Sequence, residues 1–277
     1  MKILLCTDGS KTVLKAVNLL IRMNLLENVQ LTLLGSLDEK APTAQIQKSF
    51  EQIESALGGA QPGWKRVVVR GSFVKNIEQA ARSEKFDLVA LGEDIRHHRG
   101  LWLLKSQSMG KHLSKKLETP FLVARDVSGE VRKVLFCSSA KDPTDLTLRL
   151  GGNLIARSGV DVAVLHVMSQ LALVFTPAQA DLRDTAETAI KRKTLEGEYL
   201  LRAISVLRQS GLQSNITPII RHGLVIDEIL CEIRQGGFDL LVIGAHHRPG
   251  YDRQREKLAE DVATDLISEV PCSIMVI

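Results

Sequence analysis

The chain is poor in aromatic side chains, 4% of its 277 residues, and holds only four cysteines. Cys6, Cys137, Cys231 and Cys272 stand far apart, with neither the CxxC spacing of a zinc site nor the density of a disulfide-stapled secreted fold. They read as reduced thiols. No stretch approaches the roughly 20 uninterrupted apolar residues that cross a bilayer. Met1-Lys2 leads into the short apolar segment Ile3–Cys6 and then Asp8, without the h-region of a secretory signal. A cytoplasmic protein that does not enter membranes is expected. Also missing are a GxxxxGK[ST] loop, a GxSxG turn, an HExxH helix and a GxGxxG fingerprint; Gly110-Lys111 is followed by His112. No nucleophile stands beside a base, so the chain is not expected to be an enzyme. No basic run interleaved with aromatics points to nucleic acid.

What is present is ordinary for a globular protein: 44% hydrophobic and 25% charged residues, in a length that suits two cores better than one. The net charge of +4 is divided unevenly. Residues 1–127 hold 19 Lys/Arg against 13 Asp/Glu, and residues 128–277 hold 17 against 19. The first half therefore suits an anionic ligand, although scattered surface lysines give the same sum.

The chain repeats itself. GSFVKNIEQAARSEKFDLVALG from Gly71 matches GLVIDEILCEIRQGGFDLLVIG from Gly223 without a gap, at an offset of 152. Lys2–Cys6 matches Lys133–Cys137 at an offset of 131, and Phe121–Val123 matches Ile274–Val276. The second copy thus carries an insertion between its second and third strands, within residues 168–215. Val127–Val131 reads as a linker.

Each copy alternates strand and helix patterns. Ile3–Cys6, Val29–Leu34, Val67–Val69, Leu88–Leu91 and Phe121–Ala124 are strand-length apolar runs. Val13, Ala16, Val17 and Leu20 share a helical face, with Ser10 as the expected N-cap, and Ile77, Ala80 and Ala81 share another. Such alternation predicts a parallel sheet with helices on both faces. The segment from about Pro177 to Gln209 places Leu182, Ala186, Ala189 and Ile190, then Leu195, Tyr199, Ala203 and Leu207, at helical spacing. One long helix is expected there, or one broken at Gly197.

In such a sheet ligands bind beyond the carboxyl ends of the strands. The first strand ends in Thr7-Asp8-Gly9-Ser10. The fourth ends in Leu91-Gly92 and is followed by Arg96-His97-His98-Arg99-Gly100 and by Ser106-Gln107-Ser108, which opens a helix. On the residues alone, Asp8-Gly9-Ser10 is either a ligand contact or a structural turn, and Ser108 either a ligand contact or a cap.

A strand ending in Asp-Gly-Ser, a Gly-led loop after Phe86–Gly92, a Ser-capped helix and the strand Thr119–Ala124 together resemble the universal stress protein family. The resemblance runs over essentially the whole chain as two family domains in tandem, residues 1–127 and 131–277. It implies two doubly wound, mostly parallel five-stranded α/β sheets of Rossmann-like, adenine-nucleotide-hydrolase-like form. In the nucleotide-binding branch the first-strand Asp meets the adenosine, and a G-x2-G-x9-G-S/T loop wraps ribose and phosphates. Carried over, Thr7, Asp8, Gly92 and Ser108 form the nucleotide set for ATP or AMP, with magnesium only as the nucleotide's companion. Ile95 and Gln107 stand where the family has glycines, and the loop is two residues longer. In the second half Ser139 replaces the Asp, Gly244 remains, His247 replaces a glycine, and Glu260-Asp261 occupies the Gly-Ser position. Two carboxylates facing phosphates disfavour ATP there. Asp261 reads instead as an N-cap.

His97 and Arg99, like His246–Arg248, are candidates for anion capture or for a solvated basic loop. His166, His222, His246 and His247 approach one sheet edge but lack a metal-ligand spacing, and no metal site is expected. Cys6 and Cys137 end equivalent strands and read as packed thiols. The family's pairing through last strands implies that Phe121–Ala124 and Ser273–Ile277 join within the chain, with a homodimer as a further assembly. The expected role is a stress-responsive nucleotide sensor. The alternatives are a non-nucleotide interaction module with a protein partner, and a weak phosphohydrolase.

Overall fold

A computed structural model describes residues 1–39, 42–59, 63–93, 109–126, 129–138, 145–168, 185–244 and 262–277. In chain order the first elements are β1 (Lys2–Thr7), α1 (Val13–Arg22), β2 (Gln30–Leu37), α2 (Thr43–Ala56), β3 (Lys65–Arg70), α3 (Phe73–Ser83), β4 (Leu88–Gly92), α4 (Met109–Ser114) and β5 (Phe121–Ala124). Next come β6 (Lys133–Cys137), α5 (Leu146–Ile155), β7 (Asp161–Met168), α6 (Ala186–Arg192), α7 (Leu195–Gln209), β8 (Ile216–His222), α8 (Val225–Gly236) and β9 (Leu240–Ile243). A helix at 262–269, α9, and β10 (Ser273–Val276) close the chain.

Backbone contacts divide the protein into two units. One comprises Met1–Val131 with Ala245–Val276, the other Arg132–Gly244 with Ile277. The strand order in the first is β3-β2-β1-β4-β5-β10. Its first five strands are parallel, with Cys6 opposite Leu34 and Ile3 opposite Leu88. β10 lies antiparallel beside β5, Ile274 opposite Val123. The second unit has the order β9-β6-β7-β8, all parallel. This is the mostly parallel α/β architecture that the alternating pattern predicts. β1, β4 and β5 are apolar on both faces because helices cover both, so Ile3, Leu4, Leu5, Phe121 and Leu122 are fully enclosed. Each such side chain contributes about 1.5–3 kcal/mol relative to exposure.

Val13, Ala16, Val17 and Leu20 are buried, as their spacing predicts. The N-cap of α1 is Thr12 and not Ser10; the Ser10 hydroxyl, two residues before that cap, lies 2.7 Å from the hydroxyl of Thr12. The turn formed by Asp8 and Gly9 uses up the residues that an earlier helix start would need.

The helical segment of the second unit differs from the expectation in three ways. The break falls at Lys193, which is left-handed (φ 55), with Thr194 capping α7 through the Gly197 amide at 3.2 Å. Gly197 is inside α7 and marks a close approach instead: a side chain there would meet the backbone of Ala189 and Ile190 in α6. At the repeat offset of 152, α7 is the counterpart of α2, the ordinary crossover helix, so the extra chain precedes Leu195. Leu195 itself is 81% exposed, and the apolar face is formed by Tyr199, Leu200, Ala203 and Leu207. Leu182 and the rest of 169–184 lie outside the described residues.

Candidate functional site

The strand order places β1 and β4 side by side, with the chain leaving them toward opposite sides of the sheet. A ligand crevice is expected beyond the carboxyl ends of two such strands. In the first unit those ends are Thr7-Asp8-Gly9 and Gly92-Glu93.

Thr7 is buried. Its hydroxyl lies 2.9 Å from that of Ser49 on α2 and accepts the Gly9 amide at 3.0 Å, so it ties the strand end to the crossover helix. Asp8 is exposed, and one of its oxygens accepts the Ser10 amide at 2.9 Å, which fixes the carboxylate at the mouth of the turn. Gly9 has φ +86, a conformation that side chains resist, and the Gln45 side chain packs where a Cβ would go. Gly92 is required for a different reason. A Cβ there would run into the carbonyl of Thr12 and come within 3.1 Å of the Val13 nitrogen, so the bare backbone of β4 presses on the first turn of α1. Asp8 and Gly92 thus stand at the carboxyl ends of two adjacent parallel strands. Ser108, His97 and Arg99 lie outside the described residues, as do Ile95 and Gln107.

Glu93 and Arg125, which sequence reasoning did not single out, dominate the electrostatics beside the crevice. The Glu93 carboxylate accepts the Met109 amide at the start of α4, at 3.0 Å, and lies 3.6 Å from the Arg125 guanidinium. Burial pushes the Glu93 carboxyl above the usual carboxylate range, against the pull of Arg125 and of the Met109 and Gly110 amides. Arg125, just after β5, is itself buried, and burial pulls its value down. It donates to the carbonyls of Val270 (2.6 Å), Cys272 (3.1 Å) and Ile267, and so caps the carboxyl end of α9. The one signal in the sequence was a charge directly after a fully apolar strand; its partners, some 140 residues away, left none.

The corresponding edge of the second unit is built from other residues. Gly244 meets the Thr147 hydroxyl in the first turn of α5, as Gly92 meets α1. Ser138, the counterpart of Thr7, receives the Tyr199 phenol on its carbonyl at 3.0 Å. Tyr199 stacks at a tilt on His166, centroids 5.1 Å apart, and carries the Arg202 guanidinium 5.6 Å over its ring. Arg202 in turn bonds Asp145 at 3.1 Å. Burial holds His166 below the usual imidazole range, opposed by Glu196 and assisted by His222. His166 and His222 do share this edge, but no group of three metal-ligating side chains occurs among the described residues. Ser139, His246, His247, Arg248, Glu260 and Asp261 lie outside them. Burial pushes the Cys6 thiol far up, which keeps it protonated and poorly nucleophilic.

The model of the universal stress protein family matches residues 130–277, more than half of the chain. The protein belongs to the universal stress protein family. That membership gives it a stress-response role. Among solved structures, a universal stress protein from Archaeoglobus fulgidus DSM 4304 is similar over 99% of this chain and 95% of its own, with a TM-score of 0.62 at 16% identity. A protein of unknown function from Pseudomonas aeruginosa PAO1 and a putative universal stress protein from P. aeruginosa UCBPP-PA14 each match 100% of this chain and 92% of theirs, with TM-scores of 0.60 at 13% identity. At these identities the likeness is one of fold, and it extends through both halves. No curated protein matches. This universal stress protein has no helix long and apolar enough to cross a membrane among its described residues.

Proposed function

We propose that this universal stress protein is a tandem of two family domains, residues 1–127 and 131–277, acting as a sensor whose first domain takes ATP or AMP. The observation that carries the reading is Asp8. Its carboxylate is exposed at the junction of β1 and β4, held by the Ser10 amide in a turn that Gly9 makes possible. An exposed acceptor at that position suits the hydroxyls of a ribose. Thr7 positions the turn through Ser49, while Ser108, His97 and Arg99 take the phosphates, with magnesium arriving only with the nucleotide. The second domain does not bind nucleotide: Tyr199 and Arg202 of its crossover helix occupy the corresponding strand end. The antiparallel pairing of β5 with β10 supports a chain whose two domains join through their last strands. The output is a change in affinity for a partner, not turnover.

Isothermal calorimetry of ATP and of AMP against the wild type and Asp8→Ala tests this. One site per chain, lost in the variant, is expected; no heat at millimolar nucleotide sinks the reading. A second reading, an interaction module without nucleotide, is favoured by Glu93, whose carboxylate already holds the Met109 amide beside the crevice. It predicts no heat with either nucleotide and a protein partner retained by both forms.

A further inference from the structure

β3, with the sequence Lys65-Arg66-Val67-Val68-Val69-Arg70, is an edge strand of the first unit; among the described residues its one strand neighbour is β2. Val69 is half-buried, and the other five residues are exposed. Val67 and Val68, 39% and 44% exposed, face opposite sides of the sheet by strand alternation. The second unit treats its matching edge differently. β8 carries Pro218, which removes a donor from an edge, and only its Thr217 is exposed. One fold position is thus blunted in one unit and left open in the other.

The charges on β3 select what can pair with it. In an antiparallel self-pairing centred on Val67 and Val68, Lys65 would oppose Arg70 of the partner subunit at both ends, and like charges directly opposite repel. A strand with carboxylates at those positions would be attracted instead. A cavity of about 210 Å³ lies at the amino end of β3, lined among others by Lys2, Lys65, Glu84, Thr32 and Phe86. Two ammonium groups converge there on one carboxylate, Lys2 at 2.8 Å and Lys65 at 3.5 Å from Glu84, and leave one positive charge in excess among the lining residues. Arg66 is committed to the Glu54 carboxylate through two bonds of 2.6 and 2.5 Å, whereas Arg70 is ordered at the carboxyl end of the strand by bonds to the carbonyls of Asp38 (3.2 Å) and Glu39 (2.7 Å) and to the Thr43 hydroxyl (3.3 Å).

We propose that β3 accepts an extended segment of a partner protein as an added strand, with an apolar centre over Val67 and Val68 and carboxylates at Lys65 and Arg70. Backbone hydrogen bonds supply the affinity, and the end charges exclude a second copy of this chain.

The test titrates the full-length chain with the acetylated, amidated peptide Glu-Glu-Val-Val-Val-Glu and with its lysine counterpart, following amide hydrogen exchange. The acidic peptide is expected to protect residues 65–70 and to bind at least about tenfold more tightly than the lysine peptide. Lys65→Gln alone, and Lys65→Gln with Arg70→Gln, are expected to weaken it progressively. The proposal is overturned by equal binding of the two peptides, by protection elsewhere, or by no protection at millimolar peptide. Self-association that protects 65–70 without any peptide also overturns it, since the edge would then belong to a second copy.

Discussion

The Arg125 guanidinium lies 3.6 Å from the Glu93 carboxylate, and the two buried charges tie the ends of β5 and β4 to α9 and α4. Arg125 alone bonds three backbone carbonyls, so no apolar residue can replace it without leaving those acceptors and the Glu93 charge uncompensated. Arg125→Met is expected to cost about 3–5 kcal/mol. Urea unfolding monitored by circular dichroism checks this; a loss below about 1 kcal/mol would mean that water reaches the site.

Glu93 predicts a pH dependence of definite sign. Its folded-state value is raised above the roughly 4.3 of an unfolded glutamate, so the native state favours the protonated form. The contribution is fully present below the unfolded value and is lost as pH rises through the folded one. The urea midpoint of the wild type relative to Glu93→Gln should therefore fall as pH rises above the roughly 4.3 of the unfolded group. Parallel profiles for the two proteins would contradict the shift.

Gly92 and Gly244 occupy the same repeat position but face different obstacles. A Cβ at 92 collides with the Thr12 backbone, which cannot yield without moving α1, whereas at 244 it meets the Thr147 hydroxyl, which can rotate. Gly92→Ala is expected to cost about 1–3 kcal/mol and Gly244→Ala distinctly less. Thermal midpoints of the two variants, measured side by side, decide the order.

The junction between α6 and α7 offers a gain and a loss a few residues apart. Lys193 sits left-handed at the end of α6, and Lys193→Gly should stabilise the protein by about 1 kcal/mol. Gly197→Ala should destabilise it by about 1–3 kcal/mol, since its methyl would come within 2.7 Å of the Ile190 nitrogen. Opposite signs in chemical denaturation are the expected outcome; two losses would show that α6 can shift.

Much of the fold was legible because hydrophobic period is a local property. The runs at Ile3–Cys6 and Phe121–Ala124 read as buried strands, and Val13, Ala16, Val17 and Leu20 as one helix face, without knowledge of what covers them. Helix boundaries were less legible. Ser10 and Gly197 carry boundary chemistry, yet the boundaries fall at Thr12 and Lys193, a choice that depends on which backbone lies nearby. Of the candidate site, the family resemblance brings Asp8 and Gly92 to one sheet edge, but nothing in the sequence does the same for Ser49, Glu93, Arg125 and Tyr199. Each acts through a partner 16 or more residues away, and no spacing rule reaches that far.

The sequence by itself determined the repeat and the alternation of strand and helix, because these rest on side-chain period. Only the tertiary structure decided that Gly92 is a backbone contact with Thr12, that Glu93 and Arg125 are buried together, and that Tyr199 closes the strand end at Ser138. The reason is physical. Burial and the pairing of buried polar groups are set by the distances between segments remote in sequence, and those distances exist only once the chain has folded.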